Sequence, residues 1–204
     1  MSNYDDASPQ IVAFTLGGMA FEYDEEKNQK NIAKHGISFR NAARVFFDYD
    51  RIEFYDEEHS ENEDRYDTIG DIEAGKISES EQTDRENVIV GNVNQFIGKV
   101  NDILFVVYTE RMRKEADGIE NDVIRLISAR MVTNFERGCT MVNTVDLTKE
   151  QAEELAFTEK ELEELERARN MPITFDEDCP ETTPEKAVKF RRVNPPRQQQ
   201  KNLA

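Results

Sequence analysis

Four segments with the residue pattern of β-strands constrain the fold most. ILFVVYTER is apolar throughout its first half, which is typical of a central strand buried on both faces. RIEFYD alternates Ile52 and Phe54 with charged neighbours, and RYDTIG and VIRLISARMV complete the set. These segments predict a sheet that must bury at least one of its faces against helices.

Two helices are predicted before these strands. The short strand FEYD ends at Asp24, a good N-cap for the helix EEKNQKNIAKH, which Gly36 closes. A second helix starts after Ser38, and its apolar stripe consists of Phe39, Ala42, Ala43 and Phe46. With a last short helix at TNFE, the order β-α-α-β-β-β-β-α predicts an α+β fold with an antiparallel sheet, the helices mainly on one face and the other face open to a substrate.

An insertion interrupts the predicted strands. Joining Gly70 directly to Lys99 would give a well-formed hairpin, so residues 71–98 are interpreted as inserted. Its second half, VIVGNVNQFIG, could extend the sheet or form its own hairpin. The sequence therefore predicts three parts: residues 1–20 as a tail or edge strand, 21–140 as the main domain and 141–204 as a helical and extended C-terminal tail.

The charge of the chain restricts its partners. The formal net charge is -17 at pH 7, which repels polyphosphates over long range, so nucleic-acid binding would need a local basic cluster. Residues 141–183 carry 13 acidic and 4 basic side chains. Such a segment could lie on a basic surface as a nucleic-acid mimic, or it could be a solvated acidic linker.

The sequence shows few features of a metal site, a cofactor site or a membrane span. Cys139 and Cys179 are the only cysteines and do not form a CxxC pair, which favours reduced thiols in the cytoplasm. The two histidines have no metal-binding spacing, and phosphate-cradling glycine motifs are absent, so we expect neither a metal nor a cofactor. No apolar run approaches the length of a membrane span, so we expect no membrane partner.

Cleavage of RNA without a metal needs a proton acceptor, a proton donor and cations for the charge that develops on phosphorus. Arginine suits the last role because its planar fork matches phosphate oxygens. The candidate side chains for these roles are Lys34, His35, His59, Arg65, Arg111, Arg125 and Arg130.

Each candidate also has a structural interpretation. Lys34 and His35 could simply complement the dipole at a helix C-terminus, and His59 could lie in an acidic surface loop. The arginines could be surface salt-bridge partners in a chain with 43 acidic residues. Arg125 and Arg130 are five residues apart, so an unbroken strand would point them to opposite faces unless a bulge intervenes.

Several sequence blocks resemble the BrnT family of type II toxins, which have a RelE-like ribonuclease fold. These blocks are FEYDEEKNQKNIAKHGISFRNAARVFFD, HSxxExR at residues 59–65, TIG, LFVVYTER and VIRLISAR. The resemblance implies a metal-independent endoribonuclease that a BrnA antitoxin neutralises. It implies catalytic roles for Lys34, His35, His59, Arg65 and Arg130, RNA binding by Arg111 and Arg125, and a place for Glu63 in the HSxxExR block. It does not settle which residue transfers protons.

The segment from Phe157 to Pro196 looks like the toxin-binding part of BrnA-type antitoxins. The resemblance implies that this tail binds the basic face, in its own chain or in a neighbouring one, and that a separate BrnA-type antitoxin and a homo-oligomer are further options. The second hypothesis is a catalytically silent protein-interaction module that keeps the fold without the activity.

Overall fold

The computed structural model describes residues 9–60, 63–72, 102–114, 120–139 and 155–194. Residues 73–98 of the predicted insertion lie outside this part. The strands are β1 Ile11–Leu16, β2 Met19–Asp24, β3 Ile52–Tyr55, β4 Arg65–Asp71, β5 Ile103–Lys114, β6 Glu120–Met131 and β7 Arg191–Arg192. The α-helices are α1 Glu25–His35, α2 Phe39–Ala42, α3 Asn134–Arg137, α4 Glu159–Arg169 and α5 Pro184–Ala187, and 3-10 turns lie at Ala43–Phe47 and Glu57–His59.

The predicted helix caps are confirmed. The Asp24 carboxylate accepts the Lys27 amide at 3.1 Å and begins α1, and Gly36 ends it with a φ of +72°. Ser38 caps α2, but this helix continues as the 3-10 turn Ala43–Phe47 rather than as one long α-helix. Thr133 forms the capping box predicted for α3.

The described residues form one mixed α+β structure with a seven-stranded sheet in the order β1-β2-β6-β5-β4-β3-β7. Every pairing is antiparallel except that of β2 with β6, so the prediction of a wholly antiparallel sheet is wrong at this pair. Three successive antiparallel pairings make β6 run opposite to β3, and the helical crossover makes β3 run opposite to β2. Strand β6 therefore returns to β2 in the same direction.

A β-bulge shifts the register of β6. Val107 lies opposite Ser128, but the next residue of β5, Tyr108, lies opposite Leu126, so Ile127 is the extra residue. The bulge restores Arg125 and Arg130 to one face of the sheet, as their partners on β5, Thr109 and Phe105, are an even number of residues apart.

Two apolar clusters lie on the two faces of the sheet. The first packs the sheet against α2 and the 3-10 turn that follows it. Helix α1 lies on the same face, where Asn31 donates to the Ala129 carbonyl at 2.8 Å, so this is the helix-covered face that the sequence predicted. The second lies on the opposite face, which the sequence predicted to be open to a substrate and which we call the open face. In the structure, residues of the C-terminal segment cover this face and complete the cluster. The buried members of this second cluster are Ile52, Ile69, Ile103, Phe105, Val107, Val132, Cys179 and Phe190.

The C-terminal segment passes from one face of the sheet to the other. Helix α4 packs Leu165 and Ala168 into the cluster on the helix-covered face. Residues 171–194, which we call the strap, then cross the open face and end with β7 paired to the outer edge of β3. Within the described part of the chain, no helix is both long and apolar enough to cross a membrane.

Candidate functional site

Lys34 and His35 end α1 at the margin of the open face, and both contact the strap. The Lys34 ammonium pairs with Asp176, and the Thr174 hydroxyl lies 3.5 Å from His35 Nδ1. Burial lowers the pKa of His35 to about 4, against a smaller opposing effect of Asp176. The imidazole is therefore neutral near pH 7, and its Nε2 is buried without a hydrogen-bond partner among the described residues.

Arg65 begins β4 and points to the open face, where it is 8% exposed. Its Nη2 donates to the backbone carbonyl of Asp178 at 2.6 Å and to that of Glu177 at 3.4 Å. Its Nε lies 3.6 Å from Asp56 Oδ2. The guanidinium thus has a carboxylate on one side and the strap backbone on the other.

Arg130 lies on β6 and is 1% exposed. It forms a bidentate pair with Glu136 at 2.7 and 2.8 Å and donates to the Pro180 carbonyl at 3.0 Å. Its guanidinium is also stacked between the rings of Phe105 and Phe175. Burial raises the pKa of Glu136, but hydrogen bonds from Arg130 and Thr182 outweigh it and hold that pKa below its usual range.

His59 is oriented by a buried carboxylate. Asp56 directly follows β3, is fully buried, and contacts His59 Nδ1 through its Oδ2 at 2.7 Å. The same carboxylate faces Arg65, so Asp56 connects two candidates that are six residues apart in sequence. Asp56, Glu58 and His59 place three potential metal-ligand atoms within 4.8 Å of one another, but Asp56 Oδ2 is already engaged by His59 and faces the positive charge of Arg65.

The second group of candidates lies beyond Arg65 on the same face. Arg111 pairs with Glu63 and also with Glu22 at 3.2 Å. Glu63, the glutamate of the HSxxExR block, therefore binds an arginine. The Arg111 hydrogen bond is the main cause that lowers the pKa of Glu63, and Arg125 contributes through its charge. Arg125 lies opposite Thr109 and Glu22 in the sheet, which places it beside this pair.

The sequence interpretation missed two buried carboxyl groups of this face, Asp56 and Asp67. Asp67 is 2% exposed, lies on β4 two residues after Arg65, and has no hydrogen-bond partner for its Oδ1 among the described residues. Burial raises its pKa to about 7, and the nearby Asp56 adds to the shift. A signal was present, because period-two alternation puts Arg65, Asp67 and Ile69 on one face of RYDTIG, where an acidic residue is out of place.

The strap also contributes a residue to the interior. Cys179 is fully buried between the carbonyls of Asp178 and Pro180, which Arg65 and Arg130 bind. Burial raises the pKa of its thiol to about 12, so Cys179 is a neutral packing residue here. Phe190 of the strap packs its ring against Phe54 and Phe105 in the same cluster.

The structure thus brings Lys34, His35, Arg65 and Arg130 under one continuous segment, with His59 beside Arg65 through Asp56. The strap presents backbone carbonyl oxygens to both arginines. Arg111 and Arg125 form a separate group with Glu22 and Glu63. The face therefore combines cations, a neutral imidazole and buried carboxyl groups in a site that the chain itself covers.

Comparison with known proteins gives one family. The family model described as the ribonuclease toxin BrnT of type II toxin-antitoxin systems matches residues 23–90. The matched range includes α1, α2, β3 and β4, and with them five residues of the site: Lys34, His35, His59, Glu63 and Arg65. The match does not extend to Arg111, Arg125, Arg130 or the strap. A search among curated proteins finds no match to this chain.

Proposed function

We propose that this chain is a toxin-type, metal-independent endoribonuclease whose site is held inactive by its own strap. The family match supports the ribonuclease and type II toxin-antitoxin assignment, since it covers the segment with Lys34, His35, His59 and Arg65. In this proposal the main domain, residues 21–140, has a RelE-like arrangement, and the tail, residues 141–204, corresponds to the toxin-binding part of a BrnA-type antitoxin.

One observation carries the proposal. The strap contacts four candidates from three separate parts of the sequence, at every second position along its own length. Thr174 meets His35, Asp176 meets Lys34, and the carbonyls of Asp178 and Pro180 meet two arginines. A segment that only completed a hydrophobic core would not need to place polar contacts on each of these side chains. The pattern is that of an occupant that imitates a bound anionic chain.

The chemistry of the covered residues suits RNA cleavage. Arg65 and Arg130 carry planar guanidinium groups that would bind phosphate oxygens once the strap carbonyls leave. His35 and His59 are the imidazoles available for proton transfer, and Asp56 orients His59 through Nδ1. Arg111 and Arg125 would contact RNA beyond the scissile bond, because they lie further along the same face.

The partners follow from this reading. We propose that the strap inhibits its own chain in cis. Exchange of the strap between copies, a homo-oligomer and a separate BrnA-type antitoxin are variants of the same inhibition. We place the activity in the cytoplasm, where RNA and reduced thiols coexist.

The experiment compares two tryptophan substitutions in the full chain. Cys179→Trp cannot fit a fully buried position and should displace the strap, whereas Val188→Trp changes a strap residue that is 72% exposed. Both variants and the wild type are incubated with single-stranded RNA in EDTA. We expect Cys179→Trp to cleave at least about tenfold faster than the other two, which corresponds to a shift of about 1.4 kcal/mol toward the open state.

Three controls accompany this experiment. Limited proteolysis within the strap reports its release, and Phe190→Asp provides a second released variant by placing a charge against Phe54 and Phe105. Adding Arg65→Ala to Cys179→Trp should lower cleavage by about 10²- to 10³-fold if this arginine binds the reacting phosphate. Released strap without any cleavage in either variant would reject the nuclease assignment.

A second candidate function is the catalytically silent interaction module. It is favoured by the pairing of Arg65, Arg111 and Arg130 with carboxylates, and by the apolar contacts of Cys179 and Phe190, which make the strap part of a core. A released variant that binds no RNA at any salt concentration would support this function instead.

A further inference from the structure

Asp67 occupies the middle of the covered face. It lies opposite Phe54 on β3 and Val107 on β5, and the neighbouring position on its own side of β4 holds Arg65. Phe105, two residues before Val107, lies opposite Arg130. Cross-strand neighbours of this kind share one face, so Asp67 lies between the two arginines that bind the strap.

The strap contacts the two arginines in the order of its own sequence. The Asp178 carbonyl is on Arg65 and the Pro180 carbonyl is on Arg130, and Cys179 fills the space between them. Cys179 belongs to the same apolar cluster as Val107, which lies opposite Asp67 in the sheet. The two arginines therefore mark two successive anion positions, and Asp67 lies between these positions.

Asp67 is also poorly satisfied where it is. Its Oδ1 is buried and has no hydrogen-bond partner among the described residues, although Arg65 and Arg130 are both close enough to influence it electrostatically. A buried acceptor without a partner destabilises a fold, so such a group calls for an explanation other than stability. The facing groups are apolar from β3 and β5, and the charged or titratable ones are Asp56, Arg65, Arg130, Cys179 and Lys186.

We propose that Asp67 is a catalytic residue of this site, the general base that accepts the 2′-hydroxyl proton of a single-stranded RNA lying along the path of the strap. This inference rests on the proposed function. Single-stranded RNA is the proposed substrate class because the strap reaches Lys34, Arg65 and Arg130 as a single chain, with a tight turn at 176–179. The adjacent phosphates take the places of the two strap carbonyls.

The step conserves its atoms and charges. The 2′-hydroxyl proton passes to the Asp67 carboxylate while the 2′-oxygen forms a bond to phosphorus. The bond from phosphorus to the 5′-oxygen breaks, and this leaving oxygen takes a proton from the Lys34 ammonium, whose partner Asp176 leaves with the strap. Arg65 and Arg130 stabilise the phosphorane charge, and a 2′,3′-cyclic phosphate remains. Asp67 accepts the proton as a carboxylate, so the rate should rise with pH as this group ionises.

The test uses the full chain with the Cys179→Trp substitution, assayed on single-stranded RNA in EDTA from pH 5 to 9. Adding Asp67→Asn should reduce cleavage by about 10²- to 10⁴-fold and remove the rise of the rate with pH, while Asp67→Glu should keep part of both. Asp64→Asn, the same change at an exposed residue three positions earlier, is the matched control and should leave the profile unchanged.

The outcomes separate the two proposals. If Cys179→Trp cleaves RNA and Asp67→Asn cleaves equally well with the same pH profile, the role of Asp67 is rejected and the nuclease function stands. If the released variant does not cleave RNA at all, both are rejected. A loss of the pH-dependent limb in a folded Asp67→Asn variant, with RNA affinity retained, supports the assignment, because a merely structural role would not remove a titration.

Discussion

Buried charged groups on the open face differ in whether an opposite charge compensates them. Arg130 and Glu136 are both about 1% exposed, and their bidentate contact pairs the two charges, although Arg130 Nε has no hydrogen-bond partner among the described residues. Asp67 has no such ion pair and keeps its proton to a higher pH than an ordinary aspartate. The face therefore contains one buried ion pair and one buried carboxyl group that costs stability.

The destabilisation caused by Asp67 should depend on pH. Asp67 has an ordinary pKa of 3.8 and a folded value of about 7, so the folded protein binds a proton that the unfolded chain releases between these values. Its destabilising effect is absent below pH 4, grows as the pH rises, and is complete above pH 7. We expect Asp67→Asn to raise the free energy of unfolding by about 2 to 4 kcal/mol at pH 8 and by little near pH 4.

The measurement is urea unfolding of the wild type and Asp67→Asn at several pH values, with Asp64→Asn as the control. The gap between Asp67→Asn and the wild type should widen from acid to alkaline pH, and Asp64→Asn should track the wild type throughout. A constant gap would show that Asp67 does not titrate with a raised pKa in the folded protein.

Helix α4 is fixed to the helix-covered face by buried polar contacts. Glu164 accepts hydrogen bonds from the Ser38 amide and from Asn41, at 2.6 and 2.7 Å. Arg44, 4% exposed, donates to the Leu155 carbonyl and pairs with Glu161 at 3.3 Å. These contacts hold the start of the C-terminal segment independently of the strap, which leaves the strap free to detach while α4 remains bound.

Gly36 offers a test of this attachment. Its φ is +72°, and a Cβ there would lie 2.9 Å from the Ala168 backbone and 2.8 Å from Met171 Sδ. Gly18 has a φ of +80° with nothing within 4 Å of its Cβ position. Gly18→Ala should cost about 1 to 2 kcal/mol of stability from backbone strain alone, and Gly36→Ala about 2 to 4 kcal/mol because α4 must also move.

Thermal unfolding gives the stabilities, and proteolysis within the strap reports whether displacement of α4 loosens it. Gly36→Ala should show both effects and Gly18→Ala only the smaller loss of stability. Equal losses in the two variants would mean that α4 does not pack on Gly36 as described.

At the level of elements, the sequence predicted what depends on local periodicity. The strands β3 to β6 and the caps at Asp24, Ser38 and Thr133 follow from alternation and side-chain oxygen chemistry, and each is confirmed. The parallel pairing of β2 and β6 was not predictable, because strand direction is decided by a helical crossover that leaves no mark in either strand. For β6, the sequence indicated only that a bulge would be needed to place Arg125 and Arg130 on the same face.

The path of the strap was predictable only in outline. Acidic composition indicated a segment that could cover a basic face, and Asp176 does meet Lys34. The contacts to Arg65 and Arg130, however, come mainly from backbone carbonyls, which every residue carries and no sequence pattern reveals. Asp67 was missed because a single acidic residue within a strand is more often assigned to the solvent-facing side.

For the whole molecule, a net charge of -17 repels a polyanion over long range. Arg65 and Arg130, the cations that would hold RNA in the proposed function, are engaged by the strap. Release of the strap would free the donors that now bind its carbonyls. The central claim is therefore one of competition between the strap and RNA for Arg65 and Arg130.

RNA affinity measured against salt concentration tests this competition most directly. Single-stranded RNA is titrated into the wild type, Cys179→Trp and Val188→Trp in EDTA, with Asp67→Asn included in each protein to suppress cleavage. We expect binding by the Cys179→Trp protein alone, with a slope of log K against log salt of about -1.4 to -3 for two to four phosphate contacts. Equal affinity in all three proteins, or no binding by a folded Cys179→Trp protein with its strap released, would contradict the account.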